Sequence, residues 1–75
     1  YGRGMNKTNR TAIKSTENAA AVLGAVAFAR GIGRAPALDA EFAALEPLPI
    51  GPLSMARLVG WLRGWDAANL ATVPA

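Results

Sequence analysis

Polar and apolar positions divide the chain into four stretches. The first seventeen residues, YGRGMNKTNRTAIKSTE, are polar, rich in Asn and Thr and nearly without apolar side chains, which predicts a flexible tail over 1–15. Ala19 to Ala29 is an apolar run that gives way to Arg30, Gly31, Ile32, Gly33 and Arg34. Alanine and leucine favour helix, Ser15 or Thr16 offers a cap, and Gly31 with Gly33 supplies a stop. A helix over about 16–31 is expected, apolar nearly all round and therefore covered on several sides.

APALDAEFAALEP reads as a shorter second helix over about 36–46, opened by Pro36 and ended before Pro47. Leu38, Phe42 and Leu45 recur at i, i+4 and i+7, on one face. PLPIGP holds three prolines and a glycine and reads as a stiff connector. Its Pro49-x-x-Pro52 spacing matches the minimal polyproline ligand, but a plain linker is the better reading.

A third helix is expected over about 53–71, capped by Gly51 or Ser54, with Pro74 beyond its end. Met55, Leu58, Trp61, Leu62, Trp65 and Ala68 fall on an arc about 140° wide, the pattern of a core face. Trp61, nearer the middle of the arc, is expected to be the more buried indole, and Trp65 to keep an exposed edge. Gly60, Gly64, Ala67 and Ala71 form a stripe of small residues, and Ala20, Gly24, Ala27 and Gly31 repeat its spacing in the first helix. An interior glycine costs about 1 kcal/mol relative to alanine. The two stripes therefore predict that helices one and three cross in close contact, or that two chains do so in a homodimer. The expected fold is all-α: a small bundle of two long helices plus one short helix, as a single domain over 16–75.

Charge changes this picture in one place. Arg3, Lys7, Arg10 and Lys14 face only Glu17 in the first seventeen residues, whereas Arg30, Arg34, Arg57 and Arg63 are balanced by Asp39, Glu41, Glu46 and Asp66, so the net +3 resides in the tail. Met5 is a candidate start, which would make YGRG a leftover of cloning. With no cysteine or histidine, thiolate nucleophiles, imidazole bases and the usual zinc ligands are absent, and the five acids form no evident pair. No enzyme, cofactor or metal site is expected. The apolar run is too short for a membrane span, which needs about 20 residues. Ala27-Phe28-Ala29 has the form of a signal-cleavage site, but Glu17 and Asn18 at the start of the run disfavour that reading, and a cytoplasmic protein is expected.

Two patches resemble the ribosome modulation factor family. WLRGWDAANLA, with Trp61, Leu62, Gly64, Trp65 and Ala68 in W-L-x-G-W-x-x-A spacing, is similar to that family's second helix. FARGIGR, with an aromatic residue before Gly31, Ile32, Gly33 and Arg34, is similar to the end of its first. The resemblance implies a small helical protein that binds the small ribosomal subunit near the 3′ end of its rRNA. Two departures stand beside it: the ALDAEFAALE segment replaces a polar, Pro-containing loop, and the Lys/Arg density is lower than the family's.

Two functions follow as expectations. In the first, a ribosome- or RNA-binding regulatory module reaches phosphates with Lys7, Arg10, Lys14, Arg30, Arg34, Arg57 and Arg63, and an exposed Trp edge stacks on an unpaired base. In the second, a phage- or plasmid-type inhibitor binds a host protein through an apolar helical face that includes Leu62 and Trp65.

Overall fold

A computed structural model of the chain describes residues 7–72, with side chains from Arg10 onward. Helix α1 spans Lys7–Ala29, a 3-10 turn covers Pro36–Leu38, α2 is the single turn Ala40–Ala43, and α3 spans Pro52–Ala71. The described residues hold no strand, and the expected all-α bundle with two long helices is what forms.

The start of α1 differs from expectation. The helix begins at Lys7 rather than near residue 16, so the stretch 7–15 is helical; residues 1–6 lie outside the described part. The Thr, Asn and Ser of this stretch are weak helix formers, but Ile13 and Ala12 are half-buried on the inward side, and a register that covers them outweighs the propensity. At the other end, the Gly31 N–H donates to the Phe28 carbonyl (3.0 Å) and the Ile32 N–H to the Ala27 carbonyl (2.9 Å). With Gly31 at φ 83° this is a Schellman stop, and Ile32 turns back against the core. Gly31 thus ends the helix and takes no part in the packing stripe; a Cβ there would meet open space.

Gly60 lies against Glu17, Gly64 against Ala21, and Trp65 against Phe28. The paired numbers rise together, so α1 and α3 run parallel. A Cβ on Gly64 would sit 2.6 Å from the Ala21 carbonyl carbon, one on Gly60 2.9 Å from that of Glu17, and one on Gly24 2.9 Å from both the Trp61 carbonyl carbon and the Trp65 nitrogen. In each case the glycine Cα–H points at a carbonyl oxygen across the seam, a weak hydrogen bond worth about 0.5–1 kcal/mol. The predicted close crossing is present, but it uses Gly24, Gly60 and Gly64; Ala67 and Ala71 of the expected stripe are exposed.

Parallel helices force a long return. A 20-residue helix is about 30 Å long, and residues 30–51 run back along it: Ile32 reaches Trp65, Arg34 reaches Asp66, Asp39 and Phe42 reach Trp61, and Glu46 reaches Arg57. Gly51 and Ser54 then open α3 together: the Gly51 N–H donates to Ser54 Oγ (3.0 Å), and that hydroxyl donates to the Gly51 carbonyl (3.0 Å), with Pro52 at the first helical position.

The continuous middle helix over 36–46 does not form. Asp39 breaks it, with φ −94° and ψ 106°, because its carboxylate is drawn under the chain to Trp61. Asp39 is 1% exposed; one oxygen accepts the Trp61 indole N–H (2.8 Å) and the other the Glu41 N–H (3.1 Å), which caps α2. Phe42 stays half-buried, edge-on to Trp61 at 6.2 Å, but Leu38 is exposed and Leu45 lies at the surface beside α1 rather than in the core. The expected core arc of α3 is also rotated. Ala56, Gly60, Trp61 and Gly64 are buried, while Met55 and Leu58 are exposed and Leu62, Trp65 and Ala68 are half-covered. The glycine side permits the closest approach to α1, and the returning chain covers only the Trp61 side.

Candidate nucleic-acid interface

The seven cations proposed from sequence divide into two groups. Arg34 grips Asp66 with two parallel hydrogen bonds, Nε to Oδ1 at 2.6 Å and Nη2 to Oδ2 at 2.8 Å. This pairing holds the Asp66 carboxyl below the usual carboxylate range, chiefly through the hydrogen bond, and raises Arg34 for the same reason. Arg63 pairs with Glu17 across the α1–α3 seam, and Arg30 with Glu41 at 3.4 Å. Arg57 donates to the Glu46 carbonyl at 2.8 Å. All four arginines therefore tie one segment of the fold to another. Reaching a phosphate would require each to give up its internal partner.

Lys7, Arg10 and Lys14 are placed differently. Because α1 starts at Lys7, these positions follow one another at i, i+3 and i+7 on one helix face, with no acid between residues 7 and 16. Arg10 and Lys14 are exposed, and with Thr11, Ser15 and Asn18 they line a shallow depression of about 430 Å³. Two cations, two hydroxyls and an amide are all hydrogen-bond donors. An open, donor-lined surface of positive charge suits a phosphodiester backbone, which makes many contacts of moderate strength and needs no enclosed pocket.

Thr11, Ser15 and Asn18 were missed by the sequence reading. Their 4 and 3 spacing is itself a helical signal, masked by the polar composition that predicts a tail. Asp39 was also missed: nothing local marks this acid as the partner of an indole 22 residues away.

The two residues proposed for partner contact are partly used inside the fold. Trp65 donates its indole N–H to the Ile32 carbonyl (2.8 Å) and meets Phe28 edge-on with centroids 5.1 Å apart. Leu62 packs against the core and is half-covered. Trp61, at 0% exposure, is the more buried indole, as the arc predicts, and Trp65 keeps an edge at the surface.

Among the described residues, no group of three or more acidic side chains could hold a metal ion, and no helix is long and apolar enough to cross a membrane. Comparison with known proteins finds no family model, no curated protein and no solved structure that matches this chain.

Proposed function

We propose that this chain is a small RNA-binding regulatory module whose contact surface is the basic face of α1, with the small ribosomal subunit as target. The observation that carries the reading is the alignment of Lys7, Arg10 and Lys14 on one helix face beside the donors Thr11, Ser15 and Asn18. The resemblance of residues 28–34 and 61–68 to the ribosome modulation factor family supports the choice of target, and a ribosomal target implies a cytoplasmic location. In this reading the arginines after residue 29 hold the scaffold, and the N-terminal half of α1 meets phosphates.

About three phosphate contacts imply that affinity falls roughly 20- to 40-fold between 50 and 200 mM salt. Fluorescence anisotropy with a labelled rRNA fragment tests this. Arg10/Lys14→Ala should abolish most of the binding and flatten the salt dependence, whereas Arg30→Ala should leave both near wild type. Binding that is unaffected by Arg10/Lys14→Ala removes the proposal.

A second reading has its own observation. Met55, Leu58 and Leu62 follow one another at i, i+3 and i+7 on α3, the first two exposed and the third half-covered. Such a row fits the groove of a partner protein, as the inhibitor reading requires. Its signature is the reverse: association that persists at high salt and is lost on Leu58→Asp.

A further inference from the structure

A separate concavity of about 270 Å³ opens on the side of α1 that faces the returning chain. Its apolar wall is Ala19, Ala20 and Leu23 of α1 with Leu45 from the returning chain; Ser15, Thr16 and Arg57 supply its polar groups. We propose that this cleft is a binding site for a short aliphatic carboxylate.

Three observations converge on that ligand class. The first is charge. Arg30, Arg34 and Arg63 each have a carboxylate partner, but Arg57 is held by a neutral carbonyl, and among the described residues no carboxylate pairs with it. Arg57 is half-buried as a residue, and its guanidinium carries five N–H donors, of which the surface bond to Glu46 uses one. An anion is the missing complement, and a planar carboxylate matches the fork of a guanidinium. The second is the number of positive groups. One guanidinium and two neutral hydroxyls balance a single negative charge, whereas a phosphate monoester brings nearly two. The third is the wall: Leu23, Leu45 and two alanines offer apolar area that a hydrocarbon stem removes from water, so an acid with a stem binds better than a bare anion. The volume lies just below the usual range of about 300–1,000 Å³ for ligand pockets, which limits the stem to a few carbons.

The site does not depend on the RNA reading. It shares only Ser15 with the basic depression, and neither Arg10 nor Lys14 lines it.

Amide chemical-shift titration of the whole chain with hexanoate, hexan-1-ol, hexylamine and acetate tests the proposal. Hexanoate should give saturable shifts centred on residues 15–23, 45 and 57. Hexanol should bind at least about tenfold more weakly, the factor that one charge-assisted hydrogen bond supplies; acetate, which keeps the charge but lacks the stem that removes apolar area from water, should also bind at least about tenfold more weakly, and hexylamine should not bind. Arg57→Gln should bring hexanoate down to the level of hexanol, and Ala19→Leu, which fills the cleft from an exposed position, should abolish binding with the helical circular dichroism unchanged. If Arg57→Gln fails to fold, the comparison of the four ligands on the wild-type chain still decides. Equal affinity for hexanoate and hexanol, shifts centred elsewhere, or no saturation would overturn the assignment. Any of these results would leave RNA binding through Arg10 and Lys14 untouched.

Discussion

Helix α3 is held on two sides by opposite means. On its glycine side, Gly60 and Gly64 let the backbone of α1 approach until carbonyl oxygens occupy the places where side chains would stand. On its tryptophan side, contact is made by the two indole side chains: Trp61 is enclosed by Phe42 and hydrogen-bonded to buried Asp39, and Trp65 is closed over by Phe28 and bonded to the Ile32 carbonyl. The glycine side has no atom to lose and no room to gain, so only additions damage it. The tryptophan side is the reverse, and truncations damage it. Both sides are filled from within the chain, and the outer faces of α1 and α3 carry exposed apolar side chains such as Val22 and Met55.

The sharpest way to separate the two sides is Trp61→Ala. It removes the largest fully buried side chain and strips the Asp39 carboxylate of its indole donor, and should cost about 3–5 kcal/mol. That is close to the whole stability expected of a domain this small, so urea denaturation should find the variant largely unfolded. A folded variant with near wild-type midpoint would contradict the enclosure of Trp61.

Gly64→Leu attacks the other side. A side chain there meets the Ala21 backbone, which cannot rotate away, and should lower stability by about 1–3 kcal/mol. The control is Gly31→Ala: a Cβ there meets nothing, and its cost comes only from the left-handed φ of 83°. Equal melting temperatures for Gly64→Leu and the wild type would remove the close seam.

Asp39→Asn keeps the shape of the acid but places an amide N–H₂ where one of two N–H donors now points, leaving a buried donor unmatched at about 1–3 kcal/mol. The Trp61 indole N–H resonance should shift markedly, while that of Trp65, bonded to Ile32, should stay in place. Movement of both would show that the two indoles share one environment.

These residues also mark where the sequence was legible. The third helix, the glycine contact and the order of burial of the two tryptophans follow from periodicity and residue size, both local properties of one segment. The break at Asp39 does not, because the forces that set its backbone come from an indole on another helix. The helical start at Lys7 was hidden by polar composition, since propensity is a weak guide where a half-buried Ile13 decides the register. The orientation of α1 against α3 left no trace in either stripe, as small residues at this spacing serve parallel and antiparallel crossings alike. For the site, the basic residues are evident in the sequence, but which of them have internal partners depends on tertiary structure: the α1–α3 seam for Arg63 and the path of residues 30–51 for Arg30, Arg34 and Arg57.

The smallest expected effect concerns Arg34 and Asp66, at the end of the tryptophan side. Both side chains are about half exposed, so the pair is screened and Asp66→Asn should lower the melting temperature only slightly. The sign of its pH dependence is fixed. The carboxyl of Asp66 is held below its ordinary value in the folded chain, so the stability it adds is present above the unfolded value of about 4 and is lost as pH falls through the depressed one. The difference between wild type and Asp66→Asn should stay constant from neutral pH to about 5 and shrink below about 4. A difference that grows on acidification would be incompatible with this pairing.

The central functional claim is that α1 offers its basic face to RNA while the later arginines hold the fold. Co-sedimentation with purified small ribosomal subunits tests it most directly, with wild type, Arg10/Lys14→Ala and Arg30/Arg34→Ala compared at low and moderate salt. Wild type and Arg30/Arg34→Ala should sediment at low salt and be released as salt rises, while Arg10/Lys14→Ala should remain in the supernatant throughout. Failure of the wild type to sediment even at low salt, or loss of binding in Arg30/Arg34→Ala with retention in Arg10/Lys14→Ala, would contradict the account.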